Sequence, residues 1–168
     1  MYKKYLNLAD KVIEFTKKFG SVDAEVVITN VSDTTVEARG EKIEFSEFSD
    51  STSIALRVID DKRSAVVSTS SKDEKSLEQL VLKAIEIAKD SLENPYDILA
   101  QDYQFADKSK TQDLEIYDSK TKDFRNTSVF EELAISADKA SRNNAKISNT
   151  DGSSAGASTS EFILCTSN

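Results

Sequence analysis

Apolar residues near the start of the chain recur with the spacing of an α-helix. One helical face would carry Tyr5, Leu8, Ala9, Val12, Ile13 and Phe19, with Thr16 filling the gap. Because residues three and four positions apart are neighbours on a helix, this stripe predicts an amphipathic first helix. Gly20 follows the stripe and is expected to form a left-handed C-terminal cap.

Residues 24–69 change to short β-prone runs separated by polar gaps. The predicted strands are 24–29, 34–39, 42–48, 53–59 and 63–69. The gaps at 30–33, 39–41 and 60–62 have the composition of turns. Since parallel neighbours would need longer crossovers, these runs predict an antiparallel meander. In the fourth run, Ile54, Leu56 and Val58 give one strand face that is fully apolar.

Two further helices are predicted, each opened by a capping box. The first box is Ser71–Glu74, and Pro95 ends the helical segment that follows it. The apolar stripe of this second helix is Leu77, Leu80, Val81, Ala84, Ile85, Ala88 and Leu92. The other box, Ser128–Glu131, would open a third helix. Its predicted inward residues are Phe130, Leu133, Ala134, Ala137 and Ala140.

Two other segments have weaker patterns. Residues 95–125 contain a short candidate strand, Leu114–Tyr117, and otherwise resemble a long connection. Ala145–Asn149 and Ala157–Cys165 are predicted to pair as a hairpin, with Asp151–Gly152 suited to positive φ in its connection.

Together these elements predict an α+β fold, in which an antiparallel β-sheet meander is covered by amphipathic helices. Two structural units, about 1–95 and 112–168, would be linked by about 96–111. The chain stops directly after an apolar strand, so it is expected to be cut from a larger protein.

The composition excludes several kinds of active site. The 168 residues include 30 Asp and Glu and 22 Lys and Arg, but no histidine. Imidazole is the commonest transition-metal ligand and the commonest general base near neutral pH, so this chain alone cannot build a His-Glu-x-x-His zinc site or a Ser-His-Asp triad. The net charge of −8 disfavours nucleic acid and anionic membranes as partners.

The sequence also favours a cytoplasmic location. A single cysteine, Cys165, cannot form an internal disulfide. The apolar runs are far shorter than the ~20 residues that span a bilayer. The first residues lack the apolar stretch of a signal peptide.

Some motifs invite a functional interpretation but have a simpler structural one. Thr150–Ser160 contains two glycines among serines, as some anion-binding loops do. No Gly-Lys-Ser/Thr follows, so a turn and an edge strand are favoured.

The acidic pairs Asp60–Asp61 and Glu131–Glu132 could belong to a glycosidase couple or a magnesium site. Adjacent carboxylates in a turn or at a helix start are more often solvated.

Two single residues are weighed in the same way. Cys165 lies among apolar residues and has no histidine to activate it, which favours a buried small hydrophobe over a nucleophile. Arg57, on the less apolar face of a strand, could bind a carboxylate or phosphate, but a structural ion pair is favoured. No catalytic, cofactor-binding or metal-binding residue is assigned.

Several short segments, in order along the chain, resemble the N-terminal part of the TldD/PmbA family. They are Asp23–Val26, Arg39–Gly40 with Ile43–Glu44, Leu56–Ile59, Ser68–Ser70 before the helix with Ala84–Ala88, Asn94–Pro95, Asn149–Gly152 and Thr166–Asn168. The resemblance covers essentially the whole chain, 1–168, as an N-terminal domain, and the C-terminal domain would be absent. Ser53 and Ala65 stand where the family commonly has glycines.

The resemblance implies a role in proteolysis. Family members were once described as modulators of DNA gyrase and are understood as subunits of a cytoplasmic zinc metalloprotease. The sequences around Ala157–Ser160 and in the helix after Ser71 are closer to those of the PmbA (TldE) branch. The zinc-binding His-Glu-x-x-x-His helix belongs to the TldD branch. This implies a non-catalytic subunit that pairs with a TldD-like catalytic subunit in a hetero-oligomer acting on small or unfolded peptides. Zinc would be held only by that partner.

Two alternatives remain open. The chain could be a stand-alone module that docks an extended peptide on an exposed strand edge, for which Ala157–Ser160 would be suited. It could also be a nonfunctional fragment of a split gene, with apolar surface exposed where the missing domain would lie.

Overall fold

The computed structural model describes residues 2–20, 22–105, 114–117 and 125–168. Its helices are α1 (Tyr2–Phe19), α2 (Glu74–Asp90) and α3 (Ser128–Arg142), with a short 3₁₀ turn at Asp102–Gln104. Its strands are β1 (Asp23–Arg39), β2 (Lys42–Asp60), β3 (Arg63–Thr69) and β4 (Ser153–Thr166). The predicted α+β class is confirmed.

The four strands form one sheet in the order β3-β2-β1-β4. β2 and β3 are antiparallel, with Ile54 opposite Thr69 and Asp60 opposite Arg63. β4 also runs antiparallel to β1, because Gly152 lies against Ala38 while the Ser167 N–H donates to the Ala24 carbonyl. β3 and β4 are therefore the edge strands of this sheet.

The predicted number of strands in the meander is wrong, because two of the expected gaps are strand. β1 continues through 30–33, and β2 continues through 49–52. Asn30, the first residue of this stretch, has hydrogen-bond partners on α1 and β2. The Asn30 side-chain oxygen accepts hydrogen bonds from the Tyr5 hydroxyl at 2.9 Å and from the Thr52 hydroxyl at 2.6 Å. Polar composition predicts a turn only where such partners are missing.

The other two predicted turns are confirmed as tight hairpin turns. Gly40 and Glu41 have φ values of 66° and 58°, and Asp61 and Lys62 have φ values of 46° and 63°. Positive φ at both central residues is the signature of a type I′ turn, whose twist suits antiparallel strands.

The described residues divide into two compact units that are interleaved along the chain. Unit 1 is Met1–Asn30, Thr52–Gln112 and Glu161–Asn168, and unit 2 is Val31–Ser51 and Asp113–Ser160. The sequence predicted consecutive units at 1–95 and 112–168. The arrangement differs because β1, β2 and β4 each contribute residues to both units. Residues 106–111 of the predicted linker lie outside the described residues.

Unit 1 has the larger apolar core. α1, α2, β1 and β2 contribute fully buried side chains, among them Val12, Val26, Ile28, Ile54, Leu56, Val58, Leu77 and Val81. The apolar stripe predicted for α2 is buried from Leu77 to Ala88. Leu92 was expected to extend it but is 92% exposed, because the helix has already ended at Asp90.

Two predicted helix caps in unit 1 differ from the structure. Gly20 is not among the residues with positive φ. Its lack of a side chain matters for packing instead, since a Cβ there would lie 2.7 Å from Ile85 Cδ1 on α2. The N-cap of α2 is Asp73, not Ser71, and the Asp73 carboxylate accepts a hydrogen bond from the Ser76 N–H at 2.9 Å.

Unit 2 has a smaller core, in which α3 packs on β1. Val36, Ala38 and Ala134 are its buried apolar residues. The predicted inward face of α3 is rotated, since Leu133, Ala137 and Ala140 are exposed while Asp138 is fully buried. The predicted cap is also wrong, because the N-cap is Thr127, whose hydroxyl bonds the Glu131 carboxylate at 2.7 Å.

Two predicted strands in unit 2 are absent from the structure. Residues 114–117 and 145–149 have no strand assignment, so the predicted hairpin contributes only β4 to the sheet. Gly152 does have positive φ, at 99°, as its position in the connection predicts. Short apolar runs such as 114–117 need a neighbouring strand to pair with, which local sequence does not reveal.

Candidate functional site

The acidic pairs that the sequence singles out are not part of a metal-binding cluster among the described residues. Asp60 and Asp61 are at the β2–β3 turn of unit 1. In unit 2, Glu131 is in the first turn of α3 and Glu132 follows it. Within 2–20, 22–105, 114–117 and 125–168, no three Asp, Glu or Cys side chains are grouped closely enough to hold a metal ion. These carboxylates therefore have the positions of surface and helix-start groups.

Most of Thr150–Ser160 is strand. Residues 153–160 belong to β4, at the edge of the sheet. A Cβ at Gly156 would lie 2.3 Å from the Thr34 carbonyl oxygen, so this glycine allows the two backbones to approach. This geometry supports the turn and edge-strand interpretation over an anion-binding loop.

Cys165 packs against the core of unit 1. Burial raises the pKa of its thiol, and the nearby negative charge of Asp10 raises it further. A raised pKa disfavours the thiolate, which is the reactive form of cysteine. The residue therefore behaves as the small hydrophobe that the sequence favours.

Arg57 is held in an ion-pair network within unit 1. Its Nη1 lies 2.8 Å from Glu25 Oε2, and its Nη2 lies 3.1 Å from Asp97 Oδ1. The Ser64 hydroxyl donates to the other oxygen of Asp97 at 2.5 Å. The hydrogen bond to Glu25 is the main cause that raises the pKa of Arg57. This network joins β1, β2, β3 and the segment after α2, which supports the structural interpretation of Arg57.

A polar cluster that the sequence did not predict lies in unit 2 around Asp138. The fully buried Asp138 carboxylate accepts hydrogen bonds from the Glu41 backbone N–H at 2.8 Å and from the Thr150 hydroxyl at 3.1 Å. It also pairs with Arg142, one helical turn further on. These contacts lower the pKa of Asp138, the Glu41 N–H most of all, although burial opposes them. The only local sequence feature that points to this cluster is the i, i+4 spacing of Asp138 and Arg142, which places the two side chains on the same helix face.

A pocket of about 250 Å³ lies beside the Asp138 cluster in unit 2. It is lined by Arg39, Gly40, Arg142 and the segment Ile147–Thr150. The lining has two charged residues, Arg39 and Arg142, and both are positive. No local sequence pattern indicates this pocket, because its parts are a strand end, a helix end and a loop that are far apart in the sequence.

Each unit exposes apolar side chains on its strands. In unit 1, Val66 of β3 and Phe162 and Leu164 of β4 are 68%, 65% and 51% exposed. In unit 2, Phe45 and Phe48 of β2 are partly exposed, and the Arg125 guanidinium lies 5.1 Å from the Phe48 ring centre. Among the described helices, none has the length and apolar character needed to cross a bilayer.

The fold is similar to the N-terminal part of larger solved structures. TldE from Thermococcus kodakarensis superposes with a TM-score of 0.72 at 17% identity over 95% of this chain and 34% of that one. A protein named as a modulator of DNA gyrase from Bacteroides thetaiotaomicron superposes with a TM-score of 0.72 at 21% identity over 98% of this chain and 37% of that one. Another of that name from Thermotoga maritima gives 0.70 at 10% identity, over 96% and 35% of the two chains. This chain thus spans about a third of their length.

The fold class is thus that of the first part of TldE-like proteins. The model of PmbA/TldA metallopeptidase domain 1 matches residues 24–88. Residues 24–88 thus match the first domain of the family that the sequence resembles. No curated protein matches the sequence significantly.

Proposed function

We propose that this chain is the N-terminal domain of a PmbA/TldE-like non-catalytic subunit. It would pair with a TldD-like catalytic subunit of a cytoplasmic zinc metalloprotease that processes small or unfolded peptides. The observation that carries the proposal is the match of residues 24–88 to domain 1 of a metallopeptidase family. The similarity of the whole fold to TldE supports this branch of the family.

The donor groups of this chain do not fit the zinc site of such an enzyme. A His-Glu-x-x-x-His helix needs two imidazoles, and the sequence has none. No step of peptide hydrolysis is therefore assigned to these residues. The metal and the attacking water would be held by the catalytic partner, while this domain would contribute to the assembly.

The exposed apolar side chains of unit 1 support a role in association. Phe162 and Leu164, two positions apart on the edge strand β4, leave neighbouring apolar area in contact with water, which is a common property of surfaces that bind another protein. Burial of this area against a partner would be favourable by about 25 cal/mol per Å².

The direct test is co-purification of this chain with a TldD-like subunit from the same organism, followed by a zinc-dependent peptidase assay with and without the chain. We expect a stable complex and a changed peptidase activity. The double variant Phe162→Ser/Leu164→Ser should weaken the complex. Leu92→Ser, which alters an apolar residue that is even more exposed and lies outside the strands, should not. A well-folded chain that neither associates nor alters activity would refute the subunit role and favour a nonfunctional fragment.

A stand-alone peptide-binding module is the second candidate, favoured by the position of β4 at the sheet edge. The outer edge of β4 has no strand neighbour among the described residues, so its backbone groups are suited to pairing with an extended peptide. Peptide binding by the isolated chain, with amide shifts confined to residues 153–166, would favour this function. Binding only in the presence of the partner would argue against it.

A further inference from the structure

The pocket beside the Asp138 cluster has a composition suited to an anion. Two guanidinium groups, those of Arg39 and Arg142, line it together with Ser148, Asn149 and Thr150. No Asp or Glu is part of the lining. The Ser148 hydroxyl and the Asn149 amide can supply further hydrogen-bond donors, whereas the Thr150 hydroxyl already donates to Asp138.

Only one of the two guanidinium groups has a carboxylate partner among the described residues. Asp138 is buried beside Arg142 and neutralises it. Arg39 is exposed, and among the described residues no carboxylate lies within ion-pair distance of it. The positive charge of Arg39 is therefore free to interact with a ligand.

The geometry of Arg142 is fixed before any ligand binds. Its guanidinium is anchored on Asp138 and lies close to Gly40, where a Cβ would come within 3.5 Å of Nη2. An anchored guanidinium loses little side-chain freedom on binding, which favours affinity. Its planar set of N–H donors also matches the two oxygens of a carboxylate.

We propose that this pocket binds a single carboxylate group, carried by a small organic acid or by the C-terminus of a short peptide. A monoanion matches the one guanidinium group that has no carboxylate partner among the described residues, whereas the chain's net charge of −8 opposes more highly charged anions. The volume of about 250 Å³ is smaller than the ~300–1,000 Å³ of drug-sized ligand sites, so it accommodates one small group.

The test is an amide ¹H–¹⁵N NMR titration of the 168-residue chain. The probes are N-acetyl-alanyl-alanine, its C-terminal amide, propionate and inorganic phosphate. We expect saturable shifts at Gly40 and residues 147–150 with the acetylated dipeptide acid and none with its amide. If propionate binds as tightly as the dipeptide acid, a carboxylate on a small organic acid is sufficient for binding. Much weaker binding of propionate would identify the peptide C-terminus as the source.

Two arginine variants give a matched comparison. Arg39→Ala should weaken binding of the dipeptide acid roughly tenfold to a hundredfold, the usual effect of losing a charged hydrogen bond. Arg63→Ala removes the same charge from β3 in unit 1 and should leave the affinity unchanged. The proposal is overturned if the amide binds as tightly as the acid, if phosphate binds more tightly, if both variants weaken binding equally, or if no shift saturates.

Discussion

The backbone N–H of Glu41 donates a hydrogen bond to the Asp138 carboxylate across 2.8 Å, although the two residues are 97 positions apart. It ties the β1–β2 turn to α3 within unit 2. A carboxylate that is fully buried is tolerated only when its oxygens have partners. Asp138 has three, which are Glu41, Thr150 and Arg142.

Asp138→Asn should lower the melting temperature of the protein clearly. Asparagine keeps the size of the side chain but removes the charge that pairs with Arg142, and its NH₂ group would face hydrogen-bond donors. Thermal unfolding followed by circular dichroism measures the change. Asp151→Asn, an exposed acid in the same unit, is the control and should change stability by no more than about 0.5 kcal/mol. Equal melting temperatures for the two variants would contradict a structural role of Asp138.

The contribution of Asp138 to stability should also depend on pH. Its pKa in the folded protein lies below the ordinary value of 3.8. The unfolded chain therefore binds a proton more readily than the folded one, so the stabilisation is fully present above 3.8 and is lost as the pH falls through the folded pKa. The difference in stability between the parent protein and Asp138→Asn should shrink over that acidic range. A difference that is constant down to acid pH would refute this assignment.

Asp73, rather than Ser71, should control the start of α2. Its carboxylate accepts hydrogen bonds from the Ser71 hydroxyl and the Ser76 N–H, and these lower its pKa to about 2. We expect carboxyl carbon NMR to show this titration near pH 2 and Ser71→Ala to move it toward 3.8. The stabilisation from this cap should be complete above 3.8 and decrease as the pH approaches 2. Ser91→Ala, at the other end of the helix, should leave the titration unchanged.

The core of unit 1 offers a matched pair of leucines. Leu56 is fully buried, and Leu92 is 92% exposed. Leu56→Ala should reduce the free energy of unfolding by about 2–5 kcal/mol, because it leaves a cavity among packed side chains. Leu92→Ala should change it by no more than about 0.5 kcal/mol. Urea unfolding measures both changes. A similar loss of stability for the two variants would contradict the burial of Leu56 in the core.

The Arg57–Glu25 pair should couple more strongly than an exposed pair in the same unit. A double-mutant cycle with Arg57→Ala and Glu25→Ala should give a coupling of about 1 kcal/mol, at the upper end for partly exposed ion pairs. The side chains of Arg57 and Glu25 are 29% and 21% exposed, whereas those of Lys11 and Glu74 are 39% and 64% exposed. The Lys11–Glu74 cycle should therefore give a smaller coupling that salt removes more readily. A reversed order would contradict this comparison.

Local sequence predicted the parts of the fold that depend on periodicity and on turn chemistry. The stripe from Leu77 to Ala88 and the face formed by Ile54, Leu56 and Val58 are buried as expected. The turns at Gly40–Glu41 and Asp61–Lys62 also lie where the polar gaps predicted them. These features are encoded by residues close together in the chain, so a short window is enough to recognise them.

Only the tertiary structure determined which polar residues are surrounded by partners. Asn30 lies in a strand because Tyr5 and Thr52 bond to it, although its composition predicts a turn. On α3, Asp138 is buried and Ala137 is exposed. The buried carboxylate is tolerated because the Glu41 N–H, Arg142 and Thr150 all hydrogen-bond to it. The sequence by itself determined the α+β class, the resemblance to the TldD/PmbA family and the lack of imidazole ligands. The Asp138 cluster and its pocket depend on contacts between residues far apart in the chain, which no local pattern contains.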